Sequence, residues 1–222
     1  RHPDSVRFTD RIADDLARRD FTVNGIFYDI SDFSVIDYVG GLKDLKKKII
    51  RTIGNAADRF QEDPVRMMRA IKLASRLEFK IERSTRAALV KHHSDILKAS
   101  PPRVCEEIFR LFSFGAAERA FRLLYETGMM RDLFPVLADF IDGNGGGKCR
   151  IWKYLRAADN FQNGAELSNG VKLAVVFYAF LDAKFALGAM RESGARRVAH
   201  SAEPLFESGF CAVPIPRATV VS

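Results

Sequence analysis

Arg59-Phe60-Gln61-Glu62-Asp63-Pro64-Val65-Arg66-Met67-Met68-Arg69-Ala70 is the stretch that decides the architecture. Asp63-Pro64 reads as a helix start. Asp offers an acceptor to the first unpaired backbone N–H groups, and Pro at the first helical position loses no hydrogen bond. At about 100° of turn per residue, Arg66, Arg69 and Arg76 fall on one stripe and Met67, Ile71 and Ala74 on the opposite one. One face is therefore core and the other cationic. Three arginines on one face repel one another unless an anion or carboxylates compensate. Glu62 and Asp63 stand at the helix start, where the dipole also favours negative charge. A planar arginine beside a carboxylate presents donors and acceptors together, the combination that reads a nucleobase edge. The same residues also read as an Asp cap, a Glu62–Arg66 pair at i,i+4 and solvated arginines.

Upstream lies a second charged cluster, Arg18-Arg19-Asp20-Phe21-Thr22-Val23-Asn24. Asp20 and Asn24 share a face whether the segment is helix or strand, so both can address one ligand such as a ribose. The plainer reading is an Asp cap with exposed arginines. Between the clusters, Lys43, Lys46, Lys47, Lys48 and Arg51 form a basic run, read either as a solvated face or as a phosphate-backbone contact.

Outward from these clusters the chain divides in character. Ile12 to Arg19 reads as a short helix. The alternation from Phe21 to Ile30 suggests a strand without excluding a helix. Ser34–Val39 and Ile49–Ile53 are short β-like runs, with turn signals at Gly40-Gly41 and Gly54-Asn55. From residue 56 to 188 helical patterning dominates. Ser84 is a candidate cap for a helix to Lys98, and Ser100-Pro101 opens one reaching Phe114. Ala117–Thr127 is closed by Gly128 at C′, and Met129–Ile141 is interrupted by Pro135. Gly143 to Gly147 reads as a flexible loop or linker, followed by helices over Lys148–Asn163 and Gly170–Leu187. Residues 1–11 read as loop, and the tail from Arg191 has no clear pattern. Three short strands make no stable covered sheet alone, so further sheet partners are expected upstream.

The composition is that of an ordinary soluble globular chain: 222 residues, 47% hydrophobic and 28% charged,. A net charge of +7 and a pI near 9.4 favour an anionic partner, nucleic acid being the commonest,. Cys105, Cys149 and Cys211 are odd in number and far apart, which argues against a disulfide framework or zinc site,. The adjacent His92 and His93 diverge on a helix. The apolar run Val171–Leu187 carries Lys172, Asp182 and Lys184 and suits a buried helix better than a membrane span,. Asp-x-Asp, the pairing that holds metal ions for nucleotidyl transfer, does not occur, nor does a Walker A loop,.

In this order the motifs resemble those of the class II nucleotidyltransferases, the bacterial poly(A) polymerase and CCA-adding enzyme family. Arg18–Asn24 resembles its RRDFTxN motif, and Asp37-Tyr38-Val39-Gly40-Gly41-Leu42-Lys43-Asp44-Leu45 its D-x-x-G-G-x-x-D-L stretch. Arg59–Ala70 resembles R-[FY]-x-E-D-P-x-R-x-x-R-A, and Pro102–Glu107 resembles P-x-R-x-x-E-E. The similarity is strongest over residues 12–140, and its wording is nearest to bacterial poly(A) polymerase.

The resemblance implies a mainly α chain: the C-terminal remnant of an α/β nucleotidyltransferase head (residues 1–55), a helical neck (56–142) and part of a helical body (143–222). It implies that Arg19, Asp20 and Asn24 contact the ribose and phosphates of the incoming nucleotide. Asp63 and Arg66 would pair with the base, with Glu62 and Arg69 in support. Arg103 and Glu107 would brace the site, and Asp37, Gly40 and Gly41 would form a hinge. It further implies ATP as substrate, RNA 3′ ends as partner, Mg2+ held by carboxylates outside this chain, and a monomeric, cytoplasmic protein without membrane contact. The chain starts at Arg1 without Met and lacks the family's metal-binding Asp-x-Asp. It is therefore expected to be a fragment that does not catalyse alone, and CCA addition or a non-catalytic RNA-binding role are the competing expectations.

Overall fold

The computed structural model describes residues 12–161 and 167–185, and they are mainly helical. Helix α1 (Ile12–Arg18) leads into a 3₁₀ turn at Thr22–Asn24 and the antiparallel pair β1 (Ile26–Tyr28) and β2 (Val35–Asp37). Then come α2 (Gly41–Lys47), β3 (Ile49–Ile50), α3 (Ala56–Glu62), α4 (Val65–Leu77) and β4 (Lys80–Ile81). Helices α5 (Arg83–His92), α6 (Pro101–Arg110), α7 (Ala117–Glu126), α8 (Met129–Leu133), α9 (Pro135–Gly143), α10 (Ile151–Phe161) and α11 (Asn169–Phe185) follow.

A central ribbon through β3 fixes the β-containing part. On one side β3 pairs in parallel with β4, and Glu82 donates its N–H to the Ile50 carbonyl at 2.9 Å. On the other side Thr22 donates to the Arg51 carbonyl at 2.9 Å and Ile53 to the Asp20 carbonyl at 3.0 Å. The first charged cluster is thus stitched to β3, and β3 is stitched to the end of α4. Phe21, Ile50, Phe60, Met67, Met68 and Ile71 are fully buried at this junction. Each charged cluster is therefore interleaved with core residues. Further along, Phe112, Phe121, Phe134 and Phe177 form a chain of ring contacts at 5.4, 6.4 and 5.8 Å that joins α7, α8–α9 and α11.

Several boundaries differ from the sequence reading. The alternation after Phe21 yields a strand only from Ile26. The Asp20 carboxylate takes the N–H of Phe21 and the amide of Asn24, both at 2.9 Å, and curls the chain into a turn first. The cap of α5 is Glu82, which accepts the Thr85 N–H at 2.9 Å, while the Ser84 hydroxyl only donates to that same carboxylate. Helix α5 stops at His92, and a 3₁₀ segment (His93–Lys98) takes over. There Asp95 gathers both the His92 ring and Lys98. Helix α6 ends at Arg110, because Phe114 takes φ 65°.

Gly128 closes α7 with φ 86°, and Pro135 separates α8 from α9, both as the sequence indicates. The glycine-rich stretch after Gly143 is tied down: Trp152 Nε1 donates to the Gly146 carbonyl at 2.9 Å and Arg122 to that of Gly147 at 3.1 Å. Helix α11 buries Leu173, Val176, Phe177 and Ala179 but exposes Val171. Among the described residues no helix is long and apolar enough to cross a membrane. The expectations for residues 1–11, for 162–163, for 186–187 and for the tail lie outside the described residues.

Candidate functional site

Two clusters separated in sequence form one constellation. The Asp20 carboxylate is buried. One oxygen, Oδ1, is held by Phe21 N–H and Asn24 Nδ2, and the other, Oδ2, lies 2.6 Å from Arg69 Nη2 on α4. Arg59, on α3, donates from Nη2 to the Arg19 carbonyl at 2.6 Å and from Nη1 to Glu62 at 2.6 Å. Arg19 itself is clamped by Asp15 at 2.7 Å and by the Asn24 carbonyl, with its guanidinium 4.6 Å from the centroid of the Phe27 ring. The Asp20 carboxylate and the Arg19 backbone carbonyl thus meet arginines of the second cluster, while Asn24 holds Asp20 from its own turn.

The start of α4 carries the remaining groups. Arg66 Nη1 donates to Glu62 at 2.6 Å and to the Arg59 carbonyl at 3.1 Å, which holds the guanidinium mostly buried. Together Arg66 and Arg59 hold the Glu62 carboxyl below its ordinary range. Asp63 caps α4 by accepting the Val65 N–H at 3.2 Å through Oδ1. Its second oxygen is not open, since Arg103 of α6 donates to it at 2.7 Å. That bond is the largest cause raising the Arg103 guanidinium above its usual value. Arg103 is half exposed. Asp63 and Arg66 lie one turn apart at the start of α4, each held by its own partners.

Glu107 is not in this group. It is buried one turn further along, where Lys72 donates to it at 2.5 Å and Arg110 at 3.3 Å. It braces α6 against α4 rather than touching Asp63. Asp37, Gly40 and Gly41 form a tight turn. The Asp37 carboxylate accepts the N–H groups of Val39, Gly41 and Leu42 at 3.1, 2.9 and 2.9 Å. Burial pushes the Asp37 carboxyl up, but these backbone donors outweigh it and leave it below the usual range. Gly40 sits at φ 77°, and a Cβ on Gly41 would stand 2.2 Å from the Thr22 carbonyl oxygen. The turn thereby presses α2 onto the strand of chain that carries Asn24. The lysines of the basic run, Lys43, Lys46, Lys47 and Lys48, are all exposed.

Two participants were given no role from sequence. Arg59 lies inside the quoted motif yet is the group that ties α3 to the first cluster. Buried Asp44 accepts the Thr22 hydroxyl at 2.8 Å and Arg51 Nε at 2.9 Å, supporting the turn from below. Its signals were its place in the D-x-x-G-G-x-x-D-L stretch and an acid standing alone inside a lysine run. Among the described residues no group of three or more His, Cys, Asp or Glu is placed to hold a metal ion. The site's acids are each committed to arginines or backbone N–H groups, so these residues do not fit a divalent cation.

The chain matches two family models: the "Poly A polymerase head domain" over residues 1–51, and the "Probable RNA and SrmB- binding site of polymerase A" over residues 78–141. It is 40% identical over 134 residues to poly(A) polymerase I of Escherichia coli O6:H1, covering 60% of this chain and 29% of that protein. It is 38% identical over 133 residues to the CCA-adding enzyme of Lactobacillus johnsonii, covering 60% of this chain and 33% of that enzyme. Among solved structures, the Bacillus stearothermophilus CCA-adding enzyme in complex with CTP superposes with a TM-score of 0.64 at 29% identity, over 96% of this chain and 46% of that one. The chain thus spans about a third of the length of these curated relatives.

Proposed function

This chain belongs to the class II nucleotidyltransferase family of bacterial poly(A) polymerases and CCA-adding enzymes, and from that premise we propose that the protein carrying it adds AMP from ATP to RNA 3′ ends without a nucleic-acid template. The observation that carries the reading is the convergence of the two clusters: Asp20 on Arg69, and Arg59 on Arg19. In this reading Asp63 and Arg66 pair with the base. Arg19, Asp20 and Asn24 face the ribose and phosphates, and Arg69 supports the site by holding Asp20. Glu62 fixes the Arg66 guanidinium so that its donors are oriented before the nucleotide arrives,. Arg103 covers the Asp63 carboxylate until an amino group displaces it. Asp37, Gly40 and Gly41 join the head to the helical neck. Domain boundaries near residues 55 and 142 are supported by the extents of the two family matches. The divalent ion that this chemistry normally uses is not assigned to residues of this chain.

CCA addition to tRNA is the second reading, favoured by the likeness to CCA-adding enzymes. Incubating the full-length protein with each NTP, on tRNA and on an unstructured RNA, separates the two. AMP added to both RNAs supports poly(A) synthesis, and CTP use on tRNA overturns it. Arg66→Ala is expected to lower the ATP preference by about 1–3 kcal/mol while leaving RNA affinity near wild type. Unchanged nucleotide preference would refute the role given to Arg66.

A further inference from the structure

The cationic face of α4 does not end at Arg69. At its far end a cleft of about 250 Å3 is lined by Lys72, Arg76, Arg110, Ser113 and Phe114, with Leu111 among its apolar walls. Phe114 is 68% exposed, unusual for so large an apolar ring. Its backbone is in the left-handed region at φ 65°. A bulky residue there is a real outlier, and such strain gathers at ligand sites. The Arg76 guanidinium lies 3.5 Å from the centroid of its ring. No carboxylate among the described residues pairs with Arg76, whereas Lys72 and Arg110 share Glu107 and Arg110 also reaches Glu106.

An exposed aromatic ring backed by a guanidinium, beside two more cations, is the chemistry that binds single-stranded nucleic acid. Bases stack on the ring and phosphates meet the cations. Arg76 is ten residues beyond Arg66, roughly 15 Å at 1.5 Å per residue, on the same stripe of the same helix. We propose that this cleft is a subsite for single-stranded RNA. One nucleobase, a few nucleotides back from the 3′ end, stacks on the open face of Phe114, and its phosphates lie against Lys72 and Arg110. The subsite rests on the reading of RNA as the substrate, and it adds a stacking platform distinct from the nucleotide cluster.

The test is an equilibrium one that needs no NTP and no turnover, so loss of nucleotidyl transfer would refute the proposed reaction without touching this result. Oligoadenylates carrying 2-aminopurine at successive positions from the 3′ end are titrated into the full-length protein. Quenching at one internal position is expected. Phe114→Asn, whose side chain tolerates the left-handed backbone, should abolish that quench and weaken binding about 10-fold, while Phe114→Trp retains both. Arg110→Gln should lower the salt slope of binding by about 0.7, one phosphate contact on a single strand. This variant keeps the proposal testable if Phe114→Asn fails to fold. Equal affinity and quenching in Phe114→Asn, an unchanged salt slope in Arg110→Gln, or no binding of the oligoadenylates would each overturn the subsite.

Discussion

At the scale of single residues, Asp20 is the joint between the two clusters. It is buried, with two bonds within its own turn and one ion pair reaching across to Arg69. Arg69→Ala leaves that carboxylate without its cation. Because Arg69 is itself nearly half exposed, a cost of about 1–3 kcal/mol is expected rather than that of a fully buried pair. Adding Asp20→Asn should recover part of it. A double-mutant cycle by urea unfolding reads the coupling, and strict additivity would mean that the pair contributes nothing. Gly41 is the second sensitive position. A Cβ 2.2 Å from the Thr22 carbonyl oxygen cannot fit without moving the backbone, so Gly41→Ala should cost about 2 kcal/mol or more in the same measurement. Sequence pointed to Asp20, Asn24, Asp63, Arg66 and Arg69 because their types and spacing carry the pattern. Arg59 and Asp44 stood inside quoted motifs but received no role, because their decisive partners, Arg19 and Thr22, are remote in sequence.

At the scale of elements, helix starts are where the sequence misled and where pH will act. Ser84 looked like the cap of α5, but Glu82 holds the Thr85 N–H, the Ser84 hydroxyl and a contact to Arg51. Burial alone would raise this carboxyl, yet the hydrogen bonds from Ser84 and Thr85 and the Arg51 charge overcome it and pull it down to about 2 from 4.5. A carboxyl whose folded pKa is depressed stabilises the fold fully above its unfolded value and loses that contribution as pH falls through the folded one. Glu82→Ala should therefore lower the unfolding free energy by about 2–3 kcal/mol at pH 7, and the gap from wild type should close between pH 4.5 and about 2,. A gap independent of pH would place the effect in packing instead. Helix existence was clear from apolar periodicity, Pro and Gly, as at Gly128 and Pro135. The ends of α5 and α6 were not, because they are set by Asp95 gathering two cations and by the left-handed Phe114.

At the scale of the whole molecule, the ribbon from β3 to Ile53 brings two local patterns together. It takes Asp20 and Thr22 on one side and β4 on the other. None of this pairing can be read from periodicity, because two-residue strands carry no alternation to read. The partner of β3 follows α4 in sequence and was not anticipated as a strand. What the sequence did carry was the order of the motifs, and the fold explains that order: the residues between the clusters form the connection that brings them back together. The central claim is that both clusters face one nucleotide. Photolabelling of the full-length protein with 2-azido-ATP, with unlabelled ATP as competitor, tests it most directly. Competable label recovered in both peptides, the one holding Arg19–Asn24 and the one holding Arg59–Arg69, is the predicted result. Label confined to one of them, or found elsewhere, would contradict it.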